Sequence, residues 1–189
     1  HYDVKDGIIS LRIDKEGQGP WWADAGKQKV SSIQTGMRDG LHNFWDSCTI
    51  LDHHRAVNNF VTKYGYFELK ARIPNDGGLH SAWWMIGTEA KPDQTGEIDI
   101  FEICGPDIKS NRSTVRVSVH PWQDKKLREQ GLNYYPSCDV SEDFHTYGFE
   151  WQPDGMNFYF DGKLVRQTKQ SPDYPMYTLL GIYENEAPF

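Results

Sequence analysis

Short stretches of alternating apolar and polar residues recur along the chain, and turn residues separate them. A helical period is hard to find. Alternation with a period of two is typical of a strand that is buried on one face. The pattern therefore predicts strands at Gly7 to Ile13, Gly65 to Ile73, Ala82 to Gly87, Glu97 to Ile103, Ser113 to His120, His145 to Trp151, Met156 to Phe160 and Tyr177 to Tyr183.

The strongest turn signal is the pair Asp161-Gly162. Phe158 and Phe160 precede this pair, and Lys163, Leu164 and Val165 follow it. Asp-Gly between two such segments favours a two-residue β-hairpin. Many short antiparallel strands must bury their apolar faces against each other, which requires two packed sheets. The sequence therefore predicts an all-β fold, a jelly-roll β-sandwich of two antiparallel sheets, in a single domain over residues 1–189.

Charge and aromatic content narrow the class of ligand. The 189 residues include 20 Lys+Arg and 27 Asp+Glu, for a net charge of −7, and no basic block that would attract nucleic acid or an anionic membrane. No run of about 18 apolar residues predicts a spanning helix. Seven Trp and ten Tyr suit a neutral ligand that stacks on aromatic rings. A carbohydrate is therefore the predicted partner.

The cysteines and the first residues add little. Cys48, Cys104 and Cys138 have neither the spacing of metal ligands nor that of a redox pair, so small buried side chains with at most one disulfide are expected. The first 13 residues show neither the basic start nor the apolar region of a secretory signal. This part of the sequence therefore neither indicates nor excludes export.

Three carboxylates fall within six residues of an otherwise apolar predicted strand. In a regular strand Glu97 and Asp99 share a face, whereas Glu102 points to the opposite one. A β-bulge near Ile100 and Phe101 would add one residue and return Glu102 to the same face. The prediction is a bulged strand with three carboxylates on one face.

This arrangement has a structural and a catalytic interpretation. A strand exposed on one side could simply carry charge, but three carboxylates without an alternating Lys or Arg repel each other. Such crowding is tolerated mainly where shifted pKa values are used. A pair of carboxylates flanking a glycosidic bond would hydrolyse it. The spacing permits the short separation of a retaining glycosidase and does not exclude the wider separation of an inverting one.

The segment from Gly96 to Glu102 resembles the bulged Glu-x-Asp-x-x-Glu signature of glycoside hydrolase family 16, which includes laminarinases, agarases and endo-β-galactosidases. Further motifs agree in type and order, so the resemblance covers roughly Val30 to Tyr183. They are Tyr64 to Pro74, Gly78 to Gly87, Val119-His120, Phe144 to Trp151 and the hairpin from Phe158 to Gly162.

The resemblance implies a concanavalin A-like sandwich with a concave substrate cleft and assigns roles to the carboxylates. Glu97 is then the nucleophile, Glu102 the general acid/base, and Asp99 the residue that orients Glu97. We expect the charge of Glu97 to raise the pKa of Glu102, so that Glu102 stays protonated until it donates. His120 is expected on the neighbouring strand, within reach of Asp99 or Glu102.

Several tryptophans are candidate platforms for sugar rings. Trp84 matches the family's site tryptophan and is the preferred candidate. His120 and Arg72 are also predicted to bind substrate, and Arg72 lies within the segment from Tyr64 to Pro74 that resembles the strand leading into the site. The remaining candidates are Trp83, Trp122 and Trp151, with Trp21-Trp22 at the rim of the cleft.

The resemblance leaves the substrate open. His80-Ser81 stands where the laminarinase-like motif has Trp-Pro, which tilts the prediction from β-1,3-glucan toward a galactose-containing chain. The predicted function is retaining endo-hydrolysis of a β-linked polysaccharide or glycan by a secreted or cell-surface monomer. A carbohydrate-binding module or lectin of the same fold and a transglycosylase are the alternatives.

The resemblance also bears on cofactors and chain ends. The reaction requires no cofactor. A structural calcium ion is common in the family, but it depends on edge segments that this chain barely contains, so no metal is assigned. The chain has little of the family's opening strand and stops before its usual closing strand, so it is either a fragment or a sandwich with short edges.

Overall fold

The computed structural model describes residues 2–13, 28–38 and 53–185. Trp21, Trp22 and Cys48 lie outside the described residues. Cys104 and Cys138 do not form a disulfide with each other. No helix in the described ranges is long and apolar enough to cross a membrane.

The described residues form strands joined by turns, with one three-residue 3-10 turn at Gly105–Asp107. In chain order the strands are β1 (Tyr2–Lys5), β2 (Ile8–Leu11), β3 (Gln28–Gln34), β4 (Gly36–Met37), β5 (Val57–Asn58), β6 (Gly65–Ala71), β7 (Leu79–Gly87), β8 (Glu97–Cys104), β9 (Ile108–Lys109), β10 (Arg112–Ser113), β11 (Arg116–His120), β12 (Gln130–Gly131), β13 (His145–Gln152), β14 (Gly155–Phe160), β15 (Lys163–Thr168) and β16 (Met176–Asn185).

Two antiparallel sheets form the body of the fold. One has six strands in the order β12-β11-β8-β7-β16-β3, and the other has four in the order β15-β14-β13-β6. Three short pairs, β1-β2, β4-β5 and β9-β10, lie outside these sheets. The predicted all-β jelly-roll sandwich is confirmed. Because β8 is an inner strand of the larger sheet, it has two paired strands on one side and three on the other.

Asp-Gly pairs close two hairpins. Asp161 and Gly162 have φ values of 47° and 73° between β14 and β15, and Asp6 and Gly7 have φ values of 52° and 78° between β1 and β2. Two successive residues with positive φ form the turn that matches the twist of paired strands. The hairpin at Asp161-Gly162 was predicted, whereas β1 and β3 were not. The predicted strand from Ser113 to His120 is interrupted between β10 and β11.

Large apolar side chains fill the space between the two sheets. Phe101 on β8 packs edge-on against Trp83 at 6.3 Å and lies 4.6 Å from the ring of Tyr147 on β13. Phe149 and Phe158 continue this layer on the four-stranded sheet, with ring centroids 5.1 Å apart. The six-stranded sheet thus has one face in the core, and its other face is left for the polar residues of β8.

Candidate active site

A β-bulge in β8 places all three carboxylates on the face of the six-stranded sheet that points away from the core, here called the catalytic face. Along β7 the pairing passes from Trp83↔Phe101 directly to Trp84↔Asp99, so β8 contains one residue more than its partner at this point. The pairing with β11 shifts at the same place. The predicted bulge is therefore present, and it restores the parity of Glu102.

Each carboxylate lies within 3.0 Å of a side-chain nitrogen, and the three nitrogens come from different parts of the fold. Trp122 Nε1 donates to Glu97 Oε2 at 2.7 Å. His120 Nε2 on β11 lies 3.0 Å from Asp99 Oδ2, and His80 Nε2 on β7 lies 3.0 Å from Glu102 Oε1. The donors therefore come from the two strands that flank β8 and from the turn that follows β11.

A strained turn presents Trp122 to Glu97. Trp122 has φ of 48°, a left-handed conformation that is uncommon for a bulky residue and is tolerated only where the surroundings fix it. The hydroxyl of Thr95 fixes this turn, since it accepts from Gln123 N at 2.9 Å and donates to Pro121 O at 3.3 Å. Thr95 lies two residues before Glu97, so the same segment positions both partners of the Trp122 contact.

A buried network supports the start of β8. The hydroxyl of Tyr174 donates to Asp124 Oδ2 at 2.7 Å and accepts from Gly96 N at 2.8 Å. A Cβ at Gly96 would lie 2.3 Å from the Tyr174 oxygen and 2.5 Å from Leu127 Cδ1. Glycine before Glu97 therefore permits this close approach, which fixes the backbone beneath the nucleophile candidate.

His120 bridges two carboxylates. Its Nε2 contacts Asp99, and its Nδ1 contacts Glu129 Oε1 at 2.7 Å. The hydrogen bond to Asp99 contributes most to raising the pKa of His120 to about 10, and the contact with Glu129 adds to it. At neutral pH His120 is therefore an imidazolium that donates from both nitrogens.

The pKa values of the two glutamates are shifted in opposite directions. Burial, followed by the charge of Asp99, raises the pKa of Glu97 to about 8. Burial also raises the pKa of Asp99, against the hydrogen bond from His120. For Glu102 burial acts upward as well, but the hydrogen bond from His80 and the charges of His80, His120 and Arg116 lower the pKa overall.

This order is the reverse of the expectation from the sequence, in which Glu102 held the proton. The physical reason is that donors from neighbouring strands surround Glu102, whereas Glu97 is buried beside a second carboxylate. Near pH 7 one proton therefore resides on Glu97, and Glu102 is ionised.

The same cluster has a spacing that a metal ion could use. One donor atom each of Glu97, Asp99 and His120 lie within 4.8 Å of one another. Glu97 accepts from Trp122 Nε1, and Asp99 lies 3.0 Å from His120 Nε2, so an N–H donor from the protein already contacts each of the two carboxylates. We therefore interpret the cluster as an acid–base site.

Trp84 lies on the catalytic face. It is paired with Asp99, and directly opposed residues of antiparallel strands point to the same face. Its Nε1 donates to the hydroxyl of Tyr183 at 3.3 Å, and the charges of all three carboxylates act on Tyr183. Trp122, with 38% of its surface exposed, lies on the same side beside Glu97. Both indoles are therefore placed where a sugar could contact them.

Three predicted substrate-binding residues lie elsewhere. Trp83 is buried in the core and donates to Thr178 Oγ1 at 3.0 Å, because its side chain points opposite to that of Trp84. Trp151, 1% exposed, donates to Ser171 Oγ at 3.0 Å from within the core. Arg72 follows β6 of the four-stranded sheet, with its guanidinium 5.6 Å from the ring centre of Phe144. Their prediction as sugar-binding residues is corrected accordingly.

The sequence interpretation missed three residues that contact the site. The motif comparison identifies His80 only as the loss of a stacking surface, although its even spacing from Trp84 indicates the same strand face. Tyr183 is brought beside His80 by the pairing of β16 with β7. Glu129 reaches His120 from the segment before β12, and no sequence signal marks it.

The comparison with known proteins agrees with this site. Residues 27–187 match the family model described as "Glycosyl hydrolases family 16". The chain belongs to glycosyl hydrolase family 16. The resemblance predicted from the motifs is therefore confirmed.

The family 16 relatives include enzymes that are named for different substrates. A glucan endo-1,3-beta-glucosidase of Cryptopygus antarcticus is 33% identical over 87% of this chain and 58% of its own length. A beta-glucanase of Acetivibrio thermocellus is 32% identical over 64% of this chain and 34% of its own length. The structure of a GlcNAcα1-4Gal-releasing endo-β-galactosidase from Clostridium perfringens superposes with a TM-score of 0.84 and 33% identity, over 97% of this chain and 47% of that one.

Replacing Trp84 by alanine is expected to lower kcat/KM about tenfold while stability changes little. The first effect follows from loss of an aromatic contact with the sugar, and the second from the half-buried position of Trp84. Trp83→Ala is the matched control, because truncating a buried Trp costs about 3 to 5 kcal/mol. Kinetics on a cleaved glycan and thermal unfolding would measure both. Unchanged kcat/KM together with a stability loss equal to that of Trp83→Ala would contradict the platform role.

Proposed function

We propose that this domain is a retaining endo-glycosidase that hydrolyses internal β-glycosidic bonds by double displacement. The observation that carries the proposal is the bulged strand β8, which gathers Glu97, Asp99 and Glu102 on one face and gives each its own hydrogen-bond donor. The inner position of β8 supports endo action, because paired strands on both sides leave room for sugar units on each side of the cleaved bond.

In the first displacement, ionised Glu97 attacks the anomeric carbon and a β-glycosyl bond is replaced by an ester to Glu97. Glu102 donates its proton to the oxygen of the departing sugar, so that a neutral hydroxyl leaves. The indole N–H of Trp122, which donates to Glu97 Oε2, fixes the orientation of the attacking carboxylate. Asp99 is fixed in turn by His120 and keeps the second oxygen of Glu97 oriented.

In the second displacement, water attacks the ester. Glu102, now a carboxylate, accepts the water proton, and Glu97 leaves as a carboxylate, which restores the site. The side chain of Glu102 is 26% exposed, against 4% for Asp99. This exposure supports the assignment of Glu102 as the residue that meets water.

The reactive form needs its proton on Glu102, whereas the pKa order places that proton on Glu97 near pH 7. Both forms contain the same number of protons and differ only in which carboxyl of the pair holds the proton. Activity then requires one proton on the pair. It is expected to fall above about pH 8, where that proton is lost, and at low pH, where ionised Glu102 takes up a second proton.

A binding-only role is less consistent with these contacts. Burial raises the pKa of both Glu97 and Asp99, and this destabilises the folded protein when the groups ionise. A lectin needs only hydrogen-bonding groups, which neutral amides or hydroxyls provide without that cost. The shifted pKa values are therefore better explained by acid–base chemistry.

We propose a galactose-containing β-linked glycan as the substrate class and secretion or cell-surface display as the location, because a polymer reaches the enzyme outside the cell. The support is the extent of the likeness to the Clostridium endo-β-galactosidase, 97% of the chain at a TM-score of 0.84. β-Glucan is the second candidate, since the Cryptopygus and Acetivibrio relatives are named for it.

Incubation with agarose, carrageenan, N-acetyllactosamine glycans, laminarin and lichenan would test the proposal. We expect oligosaccharides of mixed length from one of the galactose-containing substrates, which is the product pattern of internal cleavage. Glu102→Gln is the control for contaminating activity. Release of monosaccharide alone would contradict endo action, transfer products would indicate a transglycosylase, and binding without any product would favour the lectin.

A further inference from the structure

We propose that His80 is a positioning residue for Glu102, holding one oxygen of this carboxylate so that the other faces the bond to be cleaved. The inference rests on the proposed function, because it assigns His80 a part in the acid–base work of Glu102. Its basis is the contact of 3.0 Å between His80 Nε2 and Glu102 Oε1.

The strand register makes this contact possible. His80 is paired with Cys104 and Ala82 with Glu102, so His80 and Glu102 are diagonal neighbours on one face of the sheet. The small side chain of Ala82 leaves the space that the imidazole and the carboxylate need in order to meet. A bulky residue at Ala82 would separate them.

The imidazole is held on its other side by an aromatic residue. The rings of His80 and Tyr183 are 5.6 Å apart and inclined by 35°, and Tyr183 accepts the hydrogen bond from Trp84. His80 is thus coupled through packing to the tryptophan that is placed to contact sugar. The orientation of Glu102 and the binding of a sugar against Trp84 therefore depend on the same three side chains, those of His80, Tyr183 and Trp84.

Other charges near Glu102 act in a different way. Arg116 directs its guanidinium to Asp107 Oδ2 at 2.5 Å and to Cys104 Sγ at 3.6 Å, so it influences Glu102 through charge. His120 is committed to Asp99 and Glu129. The titratable groups on the face of Glu102 are His80 from β7, Arg116 and His120 from β11, Glu97, Asp99 and Cys104 from β8, and Tyr183 from β16.

The hydrogen bond has a defined effect on the two protonation states. Since His80 Nε2 donates to the carboxylate form of Glu102, it stabilises that form and contributes to the lowered pKa of Glu102. A stabilised carboxylate assists proton donation to a poor leaving group. The lowered pKa also means that the pair of Glu97 and Glu102 takes up its second proton, on Glu102, only at lower pH. Activity therefore extends toward acid pH.

The test compares His80→Phe with wild type on two substrates and across pH. Phenylalanine keeps the ring against Tyr183 but removes the donor. For the cleaved glycan, whose leaving group needs a proton, kcat/KM is expected to fall about tenfold, a typical effect of losing a hydrogen bond to a charged group. For an aryl glycoside that needs no protonation the value should change little, and the acidic limb of the pH profile should move to higher pH.

Two further variants separate positioning from a purely structural role. His80→Gln carries an amide N–H at a similar reach and should recover part of the loss. His145→Phe is the matched control, because it removes another imidazole–carboxylate contact, His145 Nδ1 to Asp161 Oδ2 at 2.8 Å, in the four-stranded sheet. This variant should leave unchanged both the pH profile and the ratio of the kcat/KM values for the two substrates.

A measurement independent of activity completes the test. The ¹³C carboxyl signal of Glu102 should titrate at higher pH in His80→Phe than in wild type, with His80→Gln in between. An unchanged Glu102 titration, or equal losses on both substrates, would overturn the role of His80. If wild type cleaves no glycan but the titration of Glu102 still shifts in His80→Phe, the contact between His80 and Glu102 is supported and the proposed function is refuted.

Discussion

Glu97→Gln is expected to lose glycan hydrolysis by about 10⁴-fold or more and to be more stable than wild type above neutral pH. The activity is lost because the neutral amide is a poor nucleophile and removes the covalent step. The amide oxygen still accepts from Trp122 Nε1, so the turn that carries Trp122 should remain in place. A sensitive assay of product release measures the first effect.

The stability effect follows from the pKa of Glu97. A glutamate titrates near 4.3 in the unfolded chain, against about 8 in the folded protein. Between these values the folded state binds more protons than the unfolded state, so wild-type stability falls as pH rises through this window. Glutamine does not titrate. The gain in unfolding free energy of the variant should therefore grow from pH 5 to pH 8, by about 3 to 4 kcal/mol.

Urea unfolding at pH 5 and pH 8 measures this difference. Glu150→Gln is the matched control, because Glu150 lies on the four-stranded sheet, accepts from Asn157 and Tyr159 at 2.8 Å, and has a lowered pKa. It should neither abolish activity nor gain stability with rising pH. Near-normal hydrolysis by Glu97→Gln would end the catalytic interpretation. A stability gain that is the same at both pH values would contradict the buried, raised pKa of Glu97.

The position of the carboxylates could be predicted because it depends only on the residue spacing within one strand. Glu97, Asp99 and Glu102 have the wrong parity for a regular strand, and one added residue corrects it, so the bulge followed from the sequence alone. The hairpin at Asp161-Gly162 is local in the same way. Neither prediction needed to know which strands pair.

The donors to these carboxylates could not be predicted in the same way. His80 reaches Glu102 through the pairing of β7 with β8, and Trp122 reaches Glu97 through a strained turn held by Thr95. Such contacts depend on strand register and on turn conformation between distant segments. The predicted pKa order of the two glutamates was therefore wrong, since the sequence supplied the charge of Glu97 as a neighbour of Glu102 but not the hydrogen bond from His80.

Register also explains the tryptophan predictions. Consecutive residues of a strand point to opposite faces, so Trp83 and Trp84 could not both meet a sugar. The segment from Ala82 to Gly87 is apolar on both faces. One face packs in the core, and on the other face Trp84 packs against a second apolar cluster that includes Ile86 and Leu179. No polar residue within this segment marks the outer face, and the pairing of Trp84 with Asp99 shows which indole lies there.

Azide rescue of two alanine variants is expected to give products of opposite stereochemistry, and this assigns the roles of the two glutamates. In Glu102→Ala, an aryl β-glycoside that needs no protonation should form the ester on Glu97 rapidly, but no base then activates water. Azide needs no base. It should accelerate turnover about 100-fold and give the β-azide, because the second inversion follows the first.

In Glu97→Ala the nucleophile itself is missing, so azide attacks the intact glycoside directly. One inversion should give the α-azide, which NMR of the anomeric proton distinguishes from the β-azide. The pKa order alone would favour the opposite roles, with ionised Glu102 as nucleophile and protonated Glu97 as acid. Exchanged anomers from the two variants would establish that reversed assignment, and it would then make His80 a positioning residue of the nucleophile. The same anomer from both variants would remove the support for a retaining mechanism.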